Sequence, residues 1–422
     1  MKINRQSIIT AVTALLLTCL GAQAQNNAGS PYSKFGYGLL NDNASAAQMQ
    51  MGGVGYAMTS GRQINVKNPA SYARIDSLTF LFDMGVDFTI RNSKEGAAGE
   101  NEPASEHRNG GGLDYITMQF PIGKRFGASI GLLPYSSVGY SFGSKIENGL
   151  SSRQGSGGIN QLYVGFAGRV IDNFTLGFNV SYLFGNIIND VTTTAENTGS
   201  QALFEQLTRV RDYHFEFGAQ YQRDFGLDHN VAVGLVYSPR KSLLGHAEVT
   251  KYDINADQEP EEVDYANLKG NAQLPETWGF GAAYTWRKRL TVEADYTYQP
   301  WSKVKLVNFD GFQPNRFADR WRMSLGAQYV HNPRGNYLQR IAYRAGGFYT
   351  QDYMMVGDNH VREYGVSFGL GLPTVAGKTV INLGFDYRHR QAHPNPMLKE
   401  NYFNIRLGIN FNELWFFKNK IN

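Results

Sequence analysis

The chain has 422 residues and a formal charge of +4, with 18% charged and 13% aromatic residues, and Gly, Tyr and Phe (47, 25 and 26) together approach a quarter of it. Charged residues fall below the roughly 25% of an ordinary soluble domain, and a mean hydropathy of −0.37 with no internal run of about 18 apolar residues excludes a bundle of transmembrane helices. A membrane β-barrel stays open, because its strands alternate and average to polar; the balanced charge gives no reason to expect nucleic acid as a partner.

Lys2 and Arg5 precede an apolar stretch from Ile8 to Leu20, followed by Gly21-Ala22-Gln23-Ala24. This is the pattern of a secretory signal peptide, so residues 1–24 are expected to be removed. Cys19 is the only cysteine; a mature chain without thiols has no disulfide, no Cys-ligated metal and no thiol catalysis. From Gln25 to Asp76 the chain is rich in Gly, Ala, Ser and Asn without sustained alternation, yet carries Pro31, Tyr32, Phe35, Tyr37 and Met51. Such a segment can pack, and residues 25–76 are predicted to form a plug, or hatch.

Beyond residue 76 apolar or aromatic residues recur at every second position. Ile405, Leu407, Ile409 and Phe411 point one way and Asn404, Arg406, Gly408, Asn410 and Asn412 the other, as successive strand side chains must. The same split separates Val292, Ala294, Tyr296 and Tyr298 from Thr291, Glu293, Asp295, Thr297 and Gln299. We read fourteen strands, beginning near residues 77, 112, 125, 158, 173, 208, 229, 274, 289, 317, 337, 361, 377 and 400. Long polar links follow the odd-numbered strands: Asn92 to Gly110, Gly143 to Gly157, Asn189 to Leu207, Tyr252 to Gln273, Asp310 to Asn315, Gln351 to Asn359, and Gln391 to Lys399. Tight turns such as Ile122-Gly123-Lys124 and Arg287-Lys288-Arg289 follow the even ones. An even strand count with all long loops at one rim is the rule of a bacterial outer-membrane barrel, so residues 77–422 are expected to be an all-β, antiparallel transmembrane barrel of about 14 strands. A barrel of that size keeps an aqueous bore unless something fills it, which gives the hatch its role.

The predicted lumen face carries Glu293, Asp295, Arg322, Arg344, Asp386, Arg388 and Arg406, read as ion pairs that tie wall to hatch. Pro134 falls inside the third strand, in Ile130-Gly131-Leu132-Leu133-Pro134-Tyr135, where it can neither donate a ladder hydrogen bond nor keep the pleat regular; a kink or bulge is expected there. Pro239 and Pro300 are expected to interrupt strands near their outer ends. His389 and His393 are spaced for a helix but lie at a strand end, so no metal site is expected. No G-x-S-x-G or phosphate-binding glycine loop is present. Neither catalysis nor a cofactor is expected.

Three stretches carry a family resemblance: Met51-Gly52-Gly53-Val54-Gly55-Tyr56-Ala57 with Asn68-Pro69-Ala70 after it, Leu274-Pro275-Glu276-Thr277-Trp278-Gly279, and Ala294-Asp295-Tyr296 through Trp301-Ser302. In that order they resemble the FadL/OmpP1/TodX family of outer-membrane barrels, over most of the mature chain. The resemblance implies a hatch motif at Asn68, Pro69 and Ala70. It also implies passive uptake of long-chain fatty acids or other hydrophobic small molecules, with a lateral exit into the bilayer at the kinked third strand, for which Gly131 and Pro134 are the gate candidates. Outer-membrane lipids and a hydrophobic ligand would be its partners. The opening Ser30-Pro31-Tyr32-Ser33-Lys34-Phe35-Gly36 looks like a variant of lineages in which such barrels also serve as accessory subunits of secretion or barrel-insertion machines. The alternative is therefore a closed, non-transporting barrel that contacts another barrel or a lipoprotein.

Overall fold

The structure, a computed structural model, describes residues 29–96, 104–146, 149–196, 201–253, 260–309, 312, 316–374 and 379–414. The expected signal peptide lies outside the described residues. Among those described, fourteen strands form the wall. They are β1 (Thr79–Glu95), β2 (Ser105–Pro121), β3 (Phe126–Ile146), β4 (Gly149–Ile171), β5 (Phe174–Ala195), β6 (Gln201–Phe225), β7 (His229–Ser238), β8 (Thr277–Trp286), β9 (Leu290–Gln299), β10 (Arg320–Val330), β11 (Ala342–Val356), β12 (Asn359–Pro373), β13 (Val380–His393) and β14 (Leu398–Leu414). Each pairs antiparallel with its neighbours, and β14 closes on β1 from Leu398 opposite Glu95 to Leu414 opposite Thr79. Closure leaves no terminal edge, which is what lets strands cross a bilayer.

The polarity is that of a membrane barrel. Phe88, Leu162, Phe166, Phe178, Phe217, Phe280, Leu325, Phe368 and Leu407 face outward and are exposed, whereas Asp83, Glu293, Asp295, Arg322, Arg344 and Asp386 are buried inside. β7, β8 and β9 have ten residues each, the length that spans the hydrocarbon layer at a tilt. β3 to β6 run to 21, 23, 22 and 25 residues, so their upper halves project past the belt. A hairpin, Gly245–Asp253 with Glu261–Asn267, extends that projecting sheet by pairing with β6.

Several predicted loops are corrected by these projections. The described residues of 92–110, 143–157 and 189–207 are mostly strand, with β1–β2, β3–β4 and β5–β6 continuing as ladders. β2, β4 and β6 therefore begin at Ser105, Gly149 and Gln201, not near 112, 158 and 208. Many of the described residues of 252–273 and 351–359 are also strand. Above the belt the outer face of the sheet meets water instead of lipid, so its outward positions turn polar and the period-two contrast weakens there. Residue 337 opens a one-turn helix, Tyr337–Arg340, capped by Asn336, and β11 starts at Ala342. Pro239 and Pro300 follow the last residues of β7 and β9 and end those strands rather than interrupting them.

Candidate functional site: the hatch seat and a split in the wall

Residues 29–76 run through the bore. Ser45 and Gln48 form a capping box on the single-turn helix α1 (Ala46–Met49). Gly52 and Gly53, at φ +73° and +80°, then turn the chain back, a geometry that disfavours side chains. Wall glycines let the hatch backbone come close. A Cβ at Gly326 would lie 2.3 Å from the Met51 carbonyl oxygen, and one at Gly234 only 1.8 Å from that of Tyr56.

Wall carboxylates receive the hatch N–H groups. Gly55 and Tyr56 donate to Asp295 Oδ2 at 2.8 and 3.1 Å, and Ala57 donates to Glu293 Oε1 at 2.9 Å. Lys67 is the nearby cation, its Nζ bonded to the Gly53 carbonyl, 3.8 Å from Asp295 and 4.7 Å from the centre of the Tyr56 ring. Burial lowers the Lys67 pKa against the pull of Asp295 and Asp42. The predicted hatch motif sits beside this seat: Asn68 caps the 3₁₀ turn Pro69–Arg74 by accepting from Ala70 N, and its Nδ2 donates to Tyr56 O at 2.7 Å and to Ala219 O on β6 at 3.2 Å.

The other predicted lumen residues divide. Arg322 donates to Gly52 O at 3.2 Å, pairs with Asp42 at 3.1 Å and lies over the Phe348 ring; Arg344 donates to Gln50 Oε1 at 2.9 Å. These two hold the hatch. Asp386 instead binds Arg388 at 2.8 Å and Arg406 at 3.1 Å, and Arg406 continues to Asp114 at 2.9 Å, so this group laces wall strand to wall strand. Several contributors were not singled out in the sequence. Asp42 pairs with Arg322 and Arg320, and Glu400 receives Ser30 Oγ at 2.8 Å and Arg91 at 3.1 Å. Lys67 precedes Asn68-Pro69-Ala70 directly, and Glu400 continues the inward set of even positions on β14, so both carried a signal. Asp42 and the two-residue strand Leu39–Leu40 carried none.

Gly131 and Pro134 lie at a break in the wall. The β2–β3 ladder runs from Pro121 opposite Gly127 to Ile116 opposite Leu132 and stops. The β3–β4 register shifts between Pro134 and Ser136, a bulge at the residue that lacks a donor. Above the stop, β3 pairs inward with the hatch: Leu39 faces Ser137, Leu40 faces Ser136, and Asn41 N donates to Tyr135 O at 3.0 Å. Behind the split a cavity of about 30 Å³ is bounded by Leu40, Asn41, Asp114 and Pro134. The mid-lumen holds one of about 110 Å³ among Lys67, Glu216, His214, Tyr135, Arg320 and Arg322. Under the projecting strands a third, about 50 Å³, lies against Phe35, Tyr37, Tyr140 and Phe309. It borders a packed apolar cluster that includes Trp301 stacked on Tyr353 at 4.3 Å.

The family described as BamG matches residues 5–422. The chain belongs to the BamG family. Solved structures similar to this BamG-family chain include a Pseudomonas aeruginosa FadL homologue, at 13% identity and TM-score 0.62 over 88% of this chain and 99% of that one. Others are the P. putida toluene transporter TodX, at 16% and 0.59 over 89% and 100%, and the CymD monoaromatic hydrocarbon channel, at 15% and 0.57 over 88% and 97%. At such identities the likeness is one of fold: the chain is a FadL-like barrel. No curated protein matches.

Proposed function

We propose that this BamG-family chain sits in the outer membrane as a closed barrel and acts as a non-transporting accessory subunit of a machine that secretes or inserts outer-membrane proteins. The observation that carries the reading is the filled bore. The mid-lumen cavity, about 110 Å³, is smaller than the ~150 Å³ void that admits benzene, and charged groups surround it. An apolar solute would have to displace a hatch whose N–H groups are bonded to wall carboxylates. The buried acids and bases are engaged by one another and by hatch backbone, which supports a structural rather than a catalytic role.

Native purification in mild detergent, with mass spectrometry of proteins and lipids, is the test. The expected result is a second outer-membrane barrel or a lipoprotein at equal stoichiometry. A preparation with no protein partner and one bound apolar molecule per chain overturns the reading.

Passage of hydrophobic molecules is the second reading, favoured by the split at Pro134 and by structural neighbours described as toluene transporters and hydrocarbon channels. It requires that deleting the protein abolish uptake of a hydrophobic probe and that Pro134→Ala reduce it. Gly131→Val is a poor test, because a Cβ there would lie 2.7 Å from the Ile116 carbonyl oxygen and 2.8 Å from the Tyr163 ring.

A further inference from the structure

The split leaves two strand edges in different states. The β3 edge is occupied by this chain, through Leu39–Leu40, Asn41 and the Ser33 hydroxyl, which accepts from Gly139 N at 3.0 Å. The β2 edge is not. From Ser105 to Leu113 that strand pairs with β1 on one side, and among the described residues no backbone ladder covers the other. β3 cannot simply zip back: continuing the register of Ile116 opposite Leu132 sets Asp114 against Pro134, which has no N–H to give.

The height of this edge determines what it needs. Leu113 and Gly111 stand opposite Val86 and Phe88, whose side chains face outward at 40% and 45% exposure, within the apolar belt. Backbone N–H and C=O groups open to hydrocarbon are not tolerated without partners. Higher up, Asn109, Arg108, His107 and Glu106 rise past the belt. An occupant must therefore be extended, must supply backbone donors and acceptors, and must pass from an apolar to a polar environment along its length. A strand of another membrane barrel has that profile. Addition of a strand to an exposed edge is a common recognition mode.

We propose that the open edge of β2, Ser105–Leu113, is a strand-addition site for the edge strand of another outer-membrane barrel. The inference rests on the accessory-subunit reading and gives that partner its place.

Successive N–H groups of an antiparallel strand point alternately to the two neighbours, so proline placed singly at His107, Arg108, Asn109 and Gly110 provides its own control. Two of the four substitutions should break the β1 ladder and lower the temperature at which the barrel loses its SDS-resistant form. The other two should leave that temperature unchanged and cut the yield of co-purified partner at least fivefold. A photo-crosslinking side chain at His107, Asn109 or Leu113 should join the partner, and the same probe at Phe368 across the barrel should join lipid only. Should the partner co-purify while the barrel-neutral prolines leave its yield unchanged, or while the β2 probes capture only lipid, the edge assignment fails and the accessory reading stands. Failure of any protein to co-purify with the wild-type chain overturns both.

Discussion

Glu293 and Asp295 are buried two residues apart on β9, and the Lys67 ammonium lies 3.8 Å from Asp295. Three hatch N–H groups stabilise the carboxylates, yet the negative charge of the seat is offset chiefly by this one side chain. Lys67→Met keeps the apolar stem and removes the charge, and an uncompensated buried charge costs about 3–5 kcal/mol. The SDS-resistant band should then convert at a lower temperature, and Lys67→Met combined with Glu293→Gln and Asp295→Asn should recover part of the loss. A single mutant that melts like wild type would show that the hatch does not depend on this pair. Asp42 makes a pH-dependent case. Burial alone would raise its pKa, but Arg322 and Arg320 outweigh burial and hold it below the usual carboxylate range. A carboxyl with a depressed folded-state pKa contributes fully above the unfolded value near 3.9 and loses that contribution as pH falls through the folded value. Asp42→Asn should therefore lower the conversion temperature at pH 7, and the gap from wild type should narrow only below about pH 4. A gap of equal size at pH 7 and pH 3 would assign the loss to packing.

At the scale of elements the hatch is the piece whose removal changes what the barrel is. Deleting residues 29–57 takes away the backbone donors to Glu293 and Asp295 and the contacts of Arg322 and Arg344, and leaves those side chains lining an open bore. Fourteen strands enclose an aqueous channel when nothing fills it, so planar-bilayer conductance should rise from near zero to stable open steps. Gly234→Val should do the same without shortening the chain, since a Cβ there meets Tyr56 O at 1.8 Å. Closed bilayers with both variants would mean that the segment plugs nothing. Period-two patterning marked β9 and β14 in the sequence because each has one face in lipid and one in the lumen. It failed for the tips of β4 and β5, where Ser152 and Gln154 point one way, Thr192 and Thr194 lie on the paired strand, and both faces are polar. The hatch seat was half legible. Its wall side is visible as charges on the wrong face of a membrane strand, but the contact between Gly55 and Asp295 joins residues 240 apart, and no local pattern encodes it. The pairing of Leu39–Leu40 with β3 was hidden for the same reason.

The whole molecule separates into a closed ring within the apolar belt and a projecting sheet above it, and the two should respond differently to truncation. Removing Leu398–Leu414 takes away β14, leaving β13 and β1 with free edges along most of their lengths. In hydrocarbon every such unpaired group costs several kcal/mol, more in sum than a domain's net stability of roughly 5–15 kcal/mol. The truncated chain should give no heat-modifiable band and should be absent from the membrane fraction. The hairpin of Gly245–Asp253 and Glu261–Asn267 is also β-structure, but it pairs with β6 only between Ala202 and Val210, above the point where β6 and β7 form the wall. Replacing it with a short Gly/Ser link should leave the conversion temperature of the band almost unchanged, because no edge within the belt is exposed. Loss of the band in the hairpin variant, or its survival without β14, would show that the closed ring has been placed on the wrong strands.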